Sequence, residues 1–172
     1  IGLPGDTIEL RGGQVFLNGI GVQQEVQPDL QLPIDANSPC GTHEFAGARG
    51  TDAAGNPVCN LPILRETLPN GVSYNIIDLG PQYTDDVAPV EIPEGEVYLL
   101  GDNRDLSADS RVASPLGLGG PIPWENIGGR AEFITFSLDG TTTLNPLTWW
   151  GAFRSGRAGT SLRPDKAVAT VK

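Results

Sequence analysis

The chain has no methionine, one histidine, and two lysines that both stand near its C-terminal end, Lys166 and Lys172. The histidine, His43, is set among Gly, Thr and Glu in a loop-rich stretch, where a solvent-facing role is expected rather than a catalytic one. Cysteine is limited to Cys40 and Cys59, with neither a C-x-x-C pair nor a histidine partner, so no zinc site is expected. No apolar run approaches the roughly 20 residues that span a bilayer, so no transmembrane segment is expected within this chain. No signal peptide is visible at Ile1, and no internal repeat is apparent.

Glycine and proline are plentiful instead, 23 and 15 in 172 residues. Both interrupt helices and punctuate turns, which argues against a helical bundle. The apolar residues fall into short runs, as in strand-rich domains, so the predicted fold class is mainly β. Net charge is −10 and unevenly spread. Residues 149–172 carry Arg154, Arg157, Arg163, Lys166 and Lys172 against Asp165 alone, a net +4 that leaves −14 on the remainder. An acidic body of this kind repels nucleic acid, so no nucleic-acid partner is expected. The basic tail follows Leu147-Thr148-Trp149-Trp150. Aromatic residues beside Arg suit a membrane interface; a soluble C-terminus with its Trp pair tucked onto the core is the alternative.

Along the chain, Asp6–Leu10, Gly12-Gly13 and Gln14–Asn18 read as a β-hairpin. Ile8 and Leu10 share a face that Val15 and Leu17 can oppose, and the glycines supply the positive φ of the turn. Residues 21–70 lose periodicity and read as an excursion of loops and short strands, with Ser73–Leu79 a further strand. The two cysteines there are either free thiols or, in an oxidising compartment, a disulfide closing a loop of about 20 residues, stabilising by about 3 kcal/mol. The core resumes at Glu96–Leu100. A long strand is predicted at Gly129–Leu138, with apolar residues on both faces, covered on both sides for part of its length.

Directly behind Glu96–Leu100 stands the densest charge in the sequence, "GDNRDLSADSR", residues 101–111. A calcium loop wants an oxygen ligand at its third position and glycine at its sixth. Counted from Asp102 the third position is Arg104, a cation, and the sixth is not glycine, so that reading fails. A solvated, salt-bridged loop and a buried polar brace beside a reaction centre remain.

This run resembles the last sequence box of type I signal peptidases, membrane-bound serine proteases that remove leader peptides from exported proteins. Gly-Asp-Asn-Arg is followed by Ser-x-Asp-Ser-Arg at the family's spacing. "IGLPGDTIEL" at the start resembles a second family element, and Gly129-Arg130-Ala131 a weaker third. The resemblance implies a core of twisted antiparallel sheets from residues 1–20 and 91–140, an inserted β-rich cap over 21–90 holding Cys40 and Cys59, and a membrane-proximal tail at 141–172 with Trp149, Trp150, Arg154 and Arg157.

In the family a serine attacks the scissile carbonyl and a neutral lysine, its pKa lowered by burial, removes the proton. On the family pattern both lie upstream of Ile1, the lysine three residues before the position matching Ile1. Neither lysine here matches the motif, and a Ser-Met step ahead of Pro is impossible without methionine, so no catalytic nucleophile or base is expected in this chain. What the resemblance assigns is support. Ser107 holds the lysine amine toward the serine, and Asp109 and Arg111 pair to fix the loop that presents Ser107. Asp102 and Arg104 form a similar brace, and Gly101 is small so that the lysine packs against its backbone.

The implied function is the extracytoplasmic, periplasmic portion of a signal peptidase I, anchored by upstream transmembrane segments. It would cut exported preproteins with small residues at −1 and −3, bound as an added β-strand at the membrane surface, without metal or cofactor. Two alternatives stand beside it: a non-catalytic extracytoplasmic peptide-binding domain, and a specialised peptidase that matures one secreted or conjugation protein.

Overall fold

The computed structural model describes residues 1–41, 45, 47–145 and 149–166. The expectations for His43 and for Lys172, and the Leu147-Thr148 step before the Trp pair, fall outside the described residues. The fold is mainly β. Its strands are β1 (Thr7–Arg11), β2 (Gln14–Leu17), β3 (Ile20–Gly21), β4 (Gln23–Pro33), β5 (Arg49–Thr51), β6 (Pro57–Thr67), β7 (Val72–Ile77), β8 (Val87–Glu91), β9 (Glu96–Val97), β10 (Ile122–Pro123) and β11 (Asp165–Lys166). One short helix, α1, covers Trp149–Ala152.

The chain forms two compact units. The first takes in Ile1–Pro28, Pro62–Gly129 and the segment from Asp165; the second takes in Asp29–Leu61 and Arg130–Pro164. Strands β4 and β6 each begin in one unit and end in the other. Residues 62–90 cluster with the first unit, and 130–164 join 29–61 in the second.

The hairpin forms as its pattern dictates. Ile8 faces Leu17 and Leu10 faces Val15 across β1 and β2, while Gly12 and Gly13 both adopt positive φ (52° and 81°). That is the backbone a two-residue turn needs to follow the strands' twist. Strand β8 adds to the other side of β1, giving the order β3-β2-β1-β8. Ile8, Leu10, Val15, Val22, Ile92 and Tyr98 form the buried core of the first unit, with Leu17, Leu68, Val87, Val90 and Leu100 packed against it. Each fully buried aliphatic side chain contributes about 1.5–3 kcal/mol.

The region read as loops and short strands instead holds two eleven-residue strands, β4 and β6. β4 is the edge of the sheet ordered β11-β7-β6-β4, and no residue in it is fully buried. An edge strand tolerates Pro28 and needs no alternating apolar face, so periodicity could not announce it. β6 and β7 pair in register from Ile63↔Ile77 to Thr67↔Ser73.

The predicted strand at Gly129–Leu138 is a correction. It is irregular chain with two isolated bridges, Phe133↔Ser161 and Leu138↔Phe153, and Phe133 and Phe136 are exposed rather than covered. The residues alternate as a strand would, but among the described residues only those isolated bridges pair with it. In the same unit Cys40 and Cys59 form a disulfide, which resolves the choice left open by the sequence. Arg154 grips Asp35 and Ser38, and Asn37 donates to the carbonyl of Leu138 (2.9 Å).

Candidate functional site

The charged box starts where the backbone leaves the core at Tyr98. Gly2 and Tyr98 exchange two backbone hydrogen bonds (2.8 and 3.1 Å), so the turn at the start of the chain and the box are neighbours in the first unit. A β-carbon at Gly2 would come within 2.4 Å of the Cδ1 atoms of the buried Ile8 and Ile92, so any larger residue requires those side chains to shift. Asp6 closes the turn by accepting from the Leu3 amide (3.0 Å), while Gly5, at φ 84°, donates to the carbonyl of Ile92 (2.9 Å).

Within the box Asp109 is the hub. Its carboxylate accepts from the amide of Gly101 (2.8 Å), the amide of Arg111 (3.0 Å) and the Arg111 guanidinium (2.9 Å from both Nε and Nη2). Both side chains are buried, with 6% of Asp109 and 1% of Arg111 exposed, so water contributes little to satisfying these charges. Burial pushes the Asp109 carboxyl up, but the bonds from Arg111 and from the two amides outweigh it and hold the group below the ordinary carboxylate value. Arg111 also donates to the carbonyl of Arg104. Next to this pair, burial and then the Asp109 charge push the Tyr98 phenol up to about 12, with Arg111 opposing.

Arg104 does not pair with Asp102, the expected brace. Asp102 is exposed, and its carboxylate accepts from the Asn103 amide (2.9 Å). Arg104 turns inward and makes a bidentate pair with Glu66 on β6 (3.0 and 2.5 Å), 5% exposed against 0% for Glu66. Sequence reasoning missed Glu66. The buried positions of β6 are Val58, then Cys59, Leu61 and Ile63 in alternation, and then a shift of parity to Glu66. A period-2 reading therefore puts Glu66 on the outer face, and a lone Glu in a strand is ordinarily a solvated one. Glu66 also accepts from Gln24 (3.1 Å). Burial, and then the charge and hydrogen bond of Glu66, raise the Tyr74 phenol, with Arg104 opposing.

Gly101 is gripped at both ends. Its amide goes to Asp109, and its carbonyl accepts from Arg104 Nε (3.3 Å). A β-carbon on Gly101 would overlap the Ser107 side chain, so this glycine is small for Ser107 itself. Among the described residues the Ser107 hydroxyl, half-buried, has no hydrogen-bond partner. The box is tied outward by a parallel bridge between Ile77 and Asn103, with Ile77 N donating to Asp102 O (2.8 Å) and Arg104 N to Ile77 O (2.9 Å). Asn103 caps the turn by accepting from the amides of Asp105 and Leu106, and Asp105 accepts from Leu79. Burial raises the Asp105 carboxyl despite the Leu79 amide, and Asp78 and Asp85 add to the rise. Asp105 Oδ1 and Arg111 Nη1 are buried with no hydrogen-bond partner among the described residues.

In the second unit, Phe136, Leu138, Thr142, Thr143, Trp149 and Phe153 line a pocket of about 340 Å³. Trp150 is 83% exposed and stacks at a tilt on Phe153, so the Trp pair is not tucked onto a core. Arg154, read from sequence as a basic tail residue, has its charge met by Asp35, while Arg157 is half-buried. No helix among the described residues is long and apolar enough to cross a membrane.

The family described as "Signal peptidase, peptidase S26" matches residues 1–136, which include the opening turn and the whole box. The chain is similar to the signal peptidase I of Rickettsia typhi (31% identical), of Rickettsia bellii (30%) and of Rickettsia conorii (32%). Each match covers 87% of this chain and 42–46% of the relative. The chain thus spans about half the length of the curated relatives it matches.

Proposed function

The chain belongs to the signal peptidase family, peptidase S26, and from that premise we propose that it is the extracytoplasmic portion of a signal peptidase I. On the family pattern, the serine nucleophile and the lysine base lie upstream of the position of Ile1. The residues of this chain orient that lysine and shape the floor beside it. The observation that carries the reading is Ser107, a hydroxyl without a partner seated against Gly101, whose backbone two buried ion pairs hold. An amine arriving there would find a hydroxyl oxygen able to accept a hydrogen bond from one of its N–H groups and so aim its lone pair. Asp109 and Arg111 hold the loop, and Gly101 gives Ser107 its seat; none of them transfers a proton.

The substrate would be an exported preprotein with small residues at −1 and −3, laid as an extended strand against the catalytic sheet. An exposed aromatic cluster of Phe136, Trp150 and Phe153 around the second unit's pocket supports a membrane-facing surface at 141–172. Aromatic rings with an apolar body suit the headgroup level of a bilayer.

The test uses the full-length protein that contains this chain, with an Ala-x-Ala preprotein in detergent. Cleavage after the small residue at −1, abolished by replacing the lysine three positions ahead of Ile1, is the expected result. Peptide binding without cleavage would assign the chain to a recognition domain instead.

A further inference from the structure

Building on that reading, we infer that Glu66 is a positioning residue for Ser107, acting through Arg104 on the carbonyl of Gly101. Glu66 lies on β6, 38 residues from Arg104 in sequence, and is wholly buried. Oε1 accepts from Arg104 Nη1 and from Gln24, and Oε2 accepts from Arg104 Nη2. The third guanidinium nitrogen, Nε, is the one that reaches Gly101 O (3.3 Å). A planar guanidinium fixed at two corners has its third corner fixed as well. Glu66 therefore sets where the carbonyl of Gly101 is held, as Asp109 sets its amide.

The pair's value is geometric rather than energetic. A fully buried ion pair is often no more stabilising than apolar residues of the same volume, because both charges lose their hydration. What apolar residues cannot do is aim Nε. The backbone of Arg104, meanwhile, is pinned independently, its amide to Ile77 and its carbonyl to Arg111. Losing Glu66 thus leaves the box in place and releases the guanidinium, so the floor under Ser107 is what moves.

A double-mutant cycle in the full-length enzyme tests this, since residues that act through one another are non-additive. Glu66→Gln is expected to lower kcat about ten-fold with KM unchanged, yet less than about two-fold in a Ser107→Ala background. An equal factor in both backgrounds would show that Glu66 acts on the fold alone and overturn the inference. Should Glu66→Gln fail to fold, Arg104→Lys enters the same cycle, keeping a cation opposite Glu66 while removing Nε. A readout without activity uses the 1–172 chain. The 13C resonance of the Gly101 carbonyl shifts in Glu66→Gln while those of Ile8 and Leu10 do not. An unmoved Gly101 carbonyl contradicts the inference, whereas a full-length enzyme that never cleaves a preprotein contradicts only the function on which it builds.

Discussion

Asp109 and Arg111 are two residues apart and almost without water, so each is the other's main source of charge compensation. Asp109→Asn or Arg111→Ala in the full-length protein leaves the remaining charge buried and uncompensated, a loss of about 3–5 kcal/mol. Activity should fall more than about ten-fold, together with a lower melting temperature; neutrality in both assays would reduce the box to a solvated loop. Ser107→Ala removes a hydroxyl that bonds nothing within the described chain, so its rate should fall with the melting temperature nearly unchanged. Two carboxylates of the box respond to pH in opposite senses. Asp109 is held below its ordinary value of 3.8, so its contribution is complete above that value and lost as pH falls through the lower folded pKa. Asp105 is raised, so the folded state binds more protons than the unfolded one above 3.8, and stability declines as pH rises through its folded pKa. Urea melts from pH 3 to 7 should show the deficit of Asp109→Asn shrinking toward the acid end. For Asp105→Asn, the advantage over wild type should grow toward pH 7.

Among elements, β1 and β6 carry different loads. Leu10 on β1 is buried in the first unit's core, and Leu10→Ala should cost about 2–5 kcal/mol, read from denaturant midpoints at constant slope. The first half of β6 is anchored instead by Cys59, bonded to Cys40 across a sequence separation of 19. Replacing both cysteines by serine should cost about 3 kcal/mol by releasing the unfolded chain. Hydrogen exchange should quicken in β5 and at Val58–Leu61, which belong to the second unit, and remain slow in β1 and β2. Uniform quickening would mean that the disulfide supports the whole molecule. Non-reducing alkylation followed by mass spectrometry should find neither thiol modified.

For the whole molecule, the proposed function carries a prediction about the 1–172 chain by itself. The chain holds no Ser-Met step, and its lysines are confined to positions 166 and 172. The 1–172 chain alone should therefore leave an Ala-x-Ala preprotein uncut, since a serine and its base act as one unit and losing either removes most of the acceleration. Turnover that disappears on replacing one serine would identify a nucleophile within the chain. A net charge of −10 further predicts no retention on a nucleic-acid column at physiological salt.

Local rules were enough for the hairpin: alternation over Ile8, Leu10, Val15 and Leu17 and a Gly-Gly turn depend on neighbours only, so the register could be read directly. The box was recognisable for the same reason, its residues being set at fixed short spacing. The edge strand β4 could not be read, because a strand that pairs on one side and buries no face leaves no apolar period. Nor could the ion pairs be told apart. Asp102-x-Arg104 and Asp109-x-Arg111 have identical spacing, yet only the second pairs. The difference is made by β6, which brings a buried carboxylate 38 residues distant against Arg104. Spacing along the chain determines which charges can meet. Which charges are removed from water, and so must meet, was decided by the sheet that covers them.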